Sequence, residues 1–187
     1  MNQQVRTSES SEPLSAELIS KRQTFLKRAF TDLRSRGNIK TEDVSEAIAE
    51  LGDLVAELRG QGMLSEAAEA ASMRVELLER SDPEEGASKA AALNDLALIQ
   101  QAQGDLPGAR ASMERAIAIE SKHFAPDHPT FATRYTNLAG ICYHEGDRAA
   151  ACVNFTKALA ILLKHFDESH PHVKSVRKSM KNVGCGA

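Results

Sequence analysis

Tryptophan is absent from this sequence of 187 residues, and all aromatic residues together make up only 4% of it. No apolar run approaches the roughly 20 residues that a membrane-spanning helix needs. The first 20 residues, MNQQVRTSESSEPLSAELIS, also lack the basic region and apolar core of a secretory signal. We therefore expect a cytoplasmic protein that has no membrane partner.

Cysteine is scarce as well, with three residues at positions 142, 152 and 185. An odd number of cysteines without CxxC spacing argues against a disulfide framework and a zinc cluster, and it favours a reducing compartment. Signatures of catalysis are missing too, because the sequence has no phosphate-binding glycine loop, no HExxH and no nucleophile elbow. We predict no enzymatic activity, no catalytic or metal-binding residues and no cofactor.

What the sequence does contain is an internal repeat with a period of 42 residues. Residues 88–129 align with residues 130–171 without a gap, with 15 identities in 42 positions. The matches include Gly104 with Gly146 and His128 with His170. A third, weaker copy lies upstream, and its matching residues are Leu54, Gly62 and Ala67. Three copies of this length predict a repeat architecture.

Each copy has the pattern of two helices. Gly104 is placed to end the first helix and Asp105 to cap the second, with Pro107 in the first turn; Gly146 and Asp147 repeat the arrangement. The second helices are expected to bury Ala109, Met113, Ala116 and Ile117 in one copy and Ala151, Phe155, Ala158 and Leu159 in the next. Also expected to face the interior are Cys142 and Cys152. One hairpin cannot bury such faces alone, so the copies must stack.

A histidine-rich segment follows the second helix of each copy, HFAPDHP at 123–129 and HFDESHP at 165–171. Asp127 and Ser169 are good helix caps, and Pro129 and Pro171 suit a first helical turn. Histidines one repeat apart do not form a compact set of metal ligands. We therefore interpret both segments as turns rather than as a metal site.

The sequence resembles the tetratricopeptide repeat, in the long-period variety of kinesin light chain and many bacterial proteins. The resemblance lies in the pattern LAxxxxxxGDxxxA at 96–109 and 138–151, in the later Ala116 and Ala158, and in the DHP connector at 127–129. It covers about residues 45–182 and implies a right-handed all-α solenoid of antiparallel helical hairpins. Arg74 stands where the family has alanine, so the packing of the first copy must differ.

The predicted organisation has three parts. A disordered tail at 1–12 and an amphipathic helix at 13–37 precede a region at 41–183 that holds three repeats, at about 45–86, 87–128 and 129–170, and a C-terminal capping helix. The helix at 13–37 has its apolar stripe on Leu14, Leu18, Phe25, Ala29 and Leu33, and it either caps the first hairpin or serves dimerisation or docking. In the C-terminal helix, Val173, Val176 and Met180 are expected to cover the last hairpin, while Lys174, Arg177, Lys178 and Lys181 stay solvated.

The resemblance also implies a function, because the first helices of such hairpins line a concave groove that binds a peptide or a partner protein. The family's groove positions fall on Asp53, Arg59, Asn94, Asp95, Leu98, Gln101, Thr133, Thr136, Asn137, Tyr143 and His144. The paired asparagines of kinesin light chain are replaced by Asn94–Asp95 and Thr136–Asn137, which argues against binding of kinesin cargo motifs. The lysine and asparagine pattern that clamps a chaperone's carboxylate is also missing.

Charge is distributed unevenly, with a net charge of about +6 over residues 21–40, −10 over 42–85 and +4 over 171–187. The oppositely charged segments either compensate each other within one molecule or attract segments of another copy and join the copies head to tail. Self-assembly as a homodimer is therefore the rival function. A pI near 6.1 and the lack of stacking aromatics argue against a nucleic-acid partner. We predict a non-enzymatic scaffold that binds a protein or peptide of unknown identity.

Overall fold

The computed structural model describes residues 16–35, 41–81 and 86–185. Within these ranges the chain forms helices and no strand: α1 (Ala16–Ser35), α2 (Thr41–Gly60), α3 (Leu64–Ser81), α4 (Gly86–Gln103), α5 (Leu106–Glu120), α6 (Pro129–His144), α7 (Arg148–His165) and α8 (Pro171–Val183). The predicted all-α solenoid of helical hairpins is confirmed. The tail predicted to be disordered, at 1–12, lies outside the described residues. None of the described helices is long and apolar enough to cross a membrane.

The hairpins are α2–α3, α4–α5 and α6–α7, and each packs on the next through α3–α4 and α5–α6 contacts. Between the two helices of each hairpin stand Gly62, Gly104 and Gly146, with φ angles of 74°, 85° and 85°. Glycine adopts this left-handed conformation at no steric cost, so the repeated glycine ends the first helix of each hairpin. Asp105 and Asp147 then accept the amide protons three residues on, at 3.0 and 2.9 Å, and cap the second helices as predicted.

The core of the solenoid lies between consecutive helices, where alanines allow close approach and larger side chains fill the remaining space. Fully or almost fully buried are Ala109, Met113, Ala116, Ala151, Phe155, Ala158 and Leu159. The interior positions predicted for the second helices are therefore confirmed, except that Ile117 is only partly buried.

Arg74 changes the packing of the first hairpin, as the sequence predicted. Its Nη1 lies 3.2 Å from Oδ2 of Asp95 on α4. Gly52 makes room for the guanidinium, since a Cβ at that position would lie 3.2 Å from the Arg74 Cζ. An ion pair opposite a glycine thus stands where the two later copies bury Ala116 and Ala158.

The histidine-rich segments are turns, but their capping residues are not the ones predicted. His128 and His170 cap α6 and α8, and the Nδ1 of each accepts the amide proton two residues on at 3.3 Å. Each imidazole stacks on the phenylalanine four residues earlier, Phe124 or Phe166, with ring centroids 4.3 and 4.0 Å apart. This stacking holds the imidazole over the first turn of the helix, so histidine takes the capping position.

The prediction that Asp127 and Ser169 cap these helices was wrong. Asp127 accepts a hydrogen bond from Lys164 Nζ at 3.2 Å, and its backbone oxygen accepts one from His165 Nε2 at 2.8 Å. The backbone amide of Ser169 donates to Asp167 Oδ1 at 2.7 Å. Both residues therefore hold the turns together while the following histidines cap the helices.

The first and last described helices, α1 and α8, pack on the outer hairpins. α1 packs against α2 and α3, with Ile19 buried, Phe30 partly buried, and Lys27 Nζ 2.7 Å from Glu69 Oε2. The apolar stripe predicted on Leu14, Leu18, Phe25, Ala29 and Leu33 lies outside the described side chains. On α8 the residues that pack inward are Val173, Val176, Met180 and Val183, and those exposed to solvent are Lys174, Arg177, Lys178 and Lys181, as predicted.

Cys152 and Cys185 form a disulfide, with their Cα atoms 5.3 Å apart. The expectation that the chain has no disulfide was therefore wrong, whereas Cys142 is free and buried as expected. Cys152, which was expected to face the interior, is partly buried and packs against the core. The pairing follows from the antiparallel arrangement of α7 and α8. Cys152 lies 13 residues before the last residue of α7, and Cys185 lies 14 residues after the first residue of α8. When two helices pack antiparallel, residues at such positions lie opposite each other.

Candidate functional site

The first helices of the three hairpins lie side by side, because α4 contacts both α2 and α6. We call the surface that α2, α4 and α6 form the first-helix surface. It carries all the residues that the sequence assigned to the groove. Exposed among them are Asp53, Arg59, Thr133, Tyr143 and His144, and partly buried are Asn94, Asp95, Leu98, Gln101, Thr136 and Asn137.

Two polar pairs connect α4 to α6 across this surface. Asn137 Nδ2 donates to Asn94 Oδ1 at 3.0 Å, and Gln101 Nε2 lies 2.8 Å from His144 Nδ1. When the Gln101 amide donates to Nδ1, the neutral imidazole carries its proton on Nε2 and can donate it to a ligand. An amide has two donors and two lone pairs, so one hydrogen bond leaves each asparagine with further capacity. The pairs therefore hold these side chains in place without exhausting their hydrogen bonding.

Asp95 connects α4 to the first hairpin. One of its carboxylate oxygens lies 3.2 Å from Arg74 Nη1 and the other 3.9 Å from Arg59 Nη1. Two guanidinium groups thus neutralise this carboxylate. Asp95 and Arg59, both assigned to the groove, act here as a link between repeats, and the polar groups better placed for a ligand lie nearer to α6.

A cavity of about 340 Å³ opens where α6 meets the end of α7 and α8. Its lining consists of Pro129, Ala132, Thr133, Thr136, Asn137, Leu162, Phe166, His172, Ser175 and Val176. Apolar and hydrogen-bonding groups converge here, in a volume within the usual range of ligand sites. Three of the predicted groove residues thus come together in one cavity.

The sequence missed the contribution of α8 to this cavity, although a signal was present. Ser175 lies one period after Thr133, so the same shift that placed the other groove residues also identifies it. Asp53 and Leu98 belong neither to the cavity lining nor to the side-chain pairs described above. Tyr143 is 39% exposed and lies beside His144, with ring centroids 5.9 Å apart.

The chemistry of the first-helix surface suits binding. Its side chains offer amides, hydroxyls, an imidazole and a phenol, which recognise peptide groups through hydrogen bonds and stacking. The one free thiol, Cys142, lies beneath the surface, and burial raises its pKa. Within residues 16–35, 41–81 and 86–185, no group of three or more histidine, cysteine, aspartate or glutamate side chains is placed to hold a metal ion.

Residues 88–173 match the model of the tetratricopeptide repeat family. This match agrees with the resemblance that the sequence showed to tetratricopeptide repeats. Such repeats generally mediate protein–protein interaction, and the family is generally non-catalytic. No curated protein sequence matches the chain at a significant level.

Solved structures with a similar fold include kinesin-light-chain-like repeat proteins. BtubC (BKLC) from P. vanneervenii is 18% identical with a TM-score of 0.63, over 91% of this chain and 66% of that one. Kinesin light chain-type repeats from Podosopora anserina are 19% identical with a TM-score of 0.60, over 89% of this chain and 84% of that one. The chain thus spans slightly less than two thirds of BtubC, and at these identities the likeness shows the fold alone.

Proposed function

We propose that this chain is a non-enzymatic scaffold that binds a peptide or a partner protein on the first-helix surface. The observation that supports this most directly is the cavity between α6 and α8, where Thr133, Thr136 and Asn137 lie beside the apolar Leu162 and Phe166. Asn137 is held by its bond to Asn94, so its amide is ordered before a ligand arrives, which lowers the entropy cost of binding. We place the protein in the cytoplasm.

The binding proposal is tested with Asn137→Ala and Tyr143→Ala. After affinity capture and identification of a partner, purified partner is titrated against the wild type and each variant. We expect each substitution to weaken binding at least about fivefold, which corresponds to roughly 1 kcal/mol. Val153→Ala is the matched control, because Val153 is 54% exposed on α7, away from the first-helix surface. Equal affinity of all four proteins would refute the assignment of this surface.

The second candidate function is self-assembly. It is favoured by α1, which packs on the first hairpin and also lines an open depression of about 540 Å³ with Thr24, Lys27, Arg28, Thr31, Asp32 and Ser35. A second copy seated there would make the chain a homodimer through its N-terminal helix. Light-scattering mass of the full chain and of a version starting at Ile39 tests this candidate, which predicts a dimer for the full chain and a monomer for the shortened one.

A further inference from the structure

The Cys152–Cys185 bond joins the first half of α7 to the residue pair that follows α8. α8 packs against α7 through Val173, Val176, Met180 and Val183, while its outer face is exposed. These four side chains form the apolar interface of a helix of 13 residues. The disulfide adds a covalent attachment just beyond the end of the helix.

The two ends of α8 are attached in different ways. At the start, His170 caps the helix and stacks on Phe166, and Arg177 forms an ion pair with Glu168. At the end, Gly184 adopts a left-handed φ of 83°, and the Cys185 amide donates to the Met180 carbonyl at 2.9 Å. This C-terminal turn presents Cys185 to α7. A cap and an ion pair thus secure the start of α8, and at its end the disulfide adds a covalent attachment to the apolar contacts of Met180 and Val183.

We propose that Cys152–Cys185 is a redox-controlled latch that fastens the C-terminal half of α8 to α7. Both cysteines are partly exposed, so a small dithiol can reach the bond. One thiolate of the dithiol attacks one cysteine sulfur, which forms a mixed disulfide and releases the other cysteine as a thiolate. The second thiol of the dithiol then attacks the reductant's own sulfur in the mixed disulfide and releases the first cysteine. Two electrons and two protons pass from the dithiol to the protein, which leaves two cysteine thiols and a cyclic disulfide of the reductant.

Opening the latch removes the constraint on a loop with a sequence separation of 33 residues. The freed segment contains Met180 and Val183, whose contacts with α7 no longer have covalent support. Redox control of the latch rests on the cytoplasmic location proposed above, because disulfides there are typically transient and respond to the redox state. Oxidation therefore completes the cap of the array, and reduction loosens it.

The test compares hydrogen exchange of the full chain in oxidised form and after treatment with dithiothreitol. We expect amides of residues 177–183 to exchange at least about tenfold faster in the reduced protein, with α4 and α5 unchanged. The double variant Cys152→Ser, Cys185→Ser should exchange like the reduced protein and should not respond to dithiothreitol. The measured quantity is the exchange rate of amides in α8, so the outcome does not depend on the proposed binding function.

Thiol titration provides the second measurement. The oxidised native protein should show no reactive thiol, because Cys142 is buried. The oxidised protein should show one thiol after denaturation. The reduced native protein should show two thiols. Cys142→Ala should keep the full redox response. Three thiols in denatured, unreduced protein, or identical exchange of α8 in both redox states, would overturn the proposal even if the serine variant failed to fold.

Discussion

At the scale of single residues, Glu120 and Arg134 form a deeply buried ion pair. The Glu120 side chain is 2% exposed and that of Arg134 11%, and the guanidinium Nη2 lies 2.8 Å from the carboxylate Oε1. Nε of the same guanidinium also donates to both carboxylate oxygens, at 3.2 and 3.1 Å. The pair joins the end of α5 to α6, so it fixes one hairpin against the next.

We expect Glu120→Ala to lower the free energy of unfolding by about 3–5 kcal/mol, because it leaves the Arg134 charge buried without its partner. Glu79→Ala is the matched control, since Glu79 forms an exposed ion pair with Arg115 between α3 and α5. It should cost about 0–1 kcal/mol. Urea unfolding of the three proteins measures both values, and similar losses in the two variants would contradict the importance of burial here.

At the scale of helices, the caps of α6 and α8 combine a hydrogen bond with a ring contact. We expect His128→Ala to lower the free energy of unfolding by about 1–2 kcal/mol, because the variant loses the cap and the stacking on Phe124. His128→Asp restores a capping oxygen without the ring, so its stability should fall between wild type and alanine. Urea unfolding decides: an aspartate variant no more stable than the alanine variant would mean that the cap contributes little.

The connectors also predict how stability responds to acid. The Lys164 hydrogen bond lowers the pKa of Asp127, the Ser169 hydrogen bonds lower that of Asp167, and the Arg177 hydrogen bond lowers that of Glu168. A carboxylate whose pKa is lowered by folding stabilises the fold above its unfolded pKa, near 4. That contribution is lost as the pH falls through the lower folded pKa.

We therefore expect urea midpoints to decrease from about pH 4 downwards, and Asp127→Asn to show a shallower decrease because one of these carboxylates is gone. Measuring the midpoint between about pH 2 and 7 for both proteins checks this. If the urea midpoint of Asp127→Asn falls with pH as steeply as that of the wild type, the ion pair between Asp127 and Lys164 does not contribute to stability, as is common for exposed pairs.

Whether the sequence predicts a structural feature depends on whether the feature is local or involves contacts between helices. Glycine ends a helix and aspartate caps the next for reasons within a few residues, so Gly104 and Asp105 could be placed correctly. The cross-helix pairs could not, because Asn94 meets Asn137 and not Thr136, the residue one period on. Neighbouring helices are offset by one residue beyond the period, and only packing reveals that shift. The pairing of Cys152 with Cys185 likewise required the alignment of α7 with α8.

At the scale of the whole molecule, charge separates along the array. The acidic α2–α3 hairpin is partly compensated by α1, through the ion pair of Lys27 with Glu69. At the opposite end, Lys174, Lys178 and Lys181 are exposed on α8 with the spacing of one helical face. Compensation within the molecule thus occurs at the N-terminal end, while the basic face of α8 points to solvent. Head-to-tail association would pair this face with the acidic hairpin of another copy.

Light-scattering mass at low and high salt distinguishes charge compensation within one molecule from head-to-tail association of copies. Head-to-tail association predicts a mass that rises with protein concentration, falls at high salt through screening, and returns to that of a monomer in the triple variant Lys174→Glu, Lys178→Glu, Lys181→Glu. We expect a monomer under every condition, because part of the acidic surface is already neutralised by α1. A monomer leaves the first-helix surface accessible to a foreign partner. A salt-sensitive oligomer that the triple variant abolishes would instead make self-assembly the primary function.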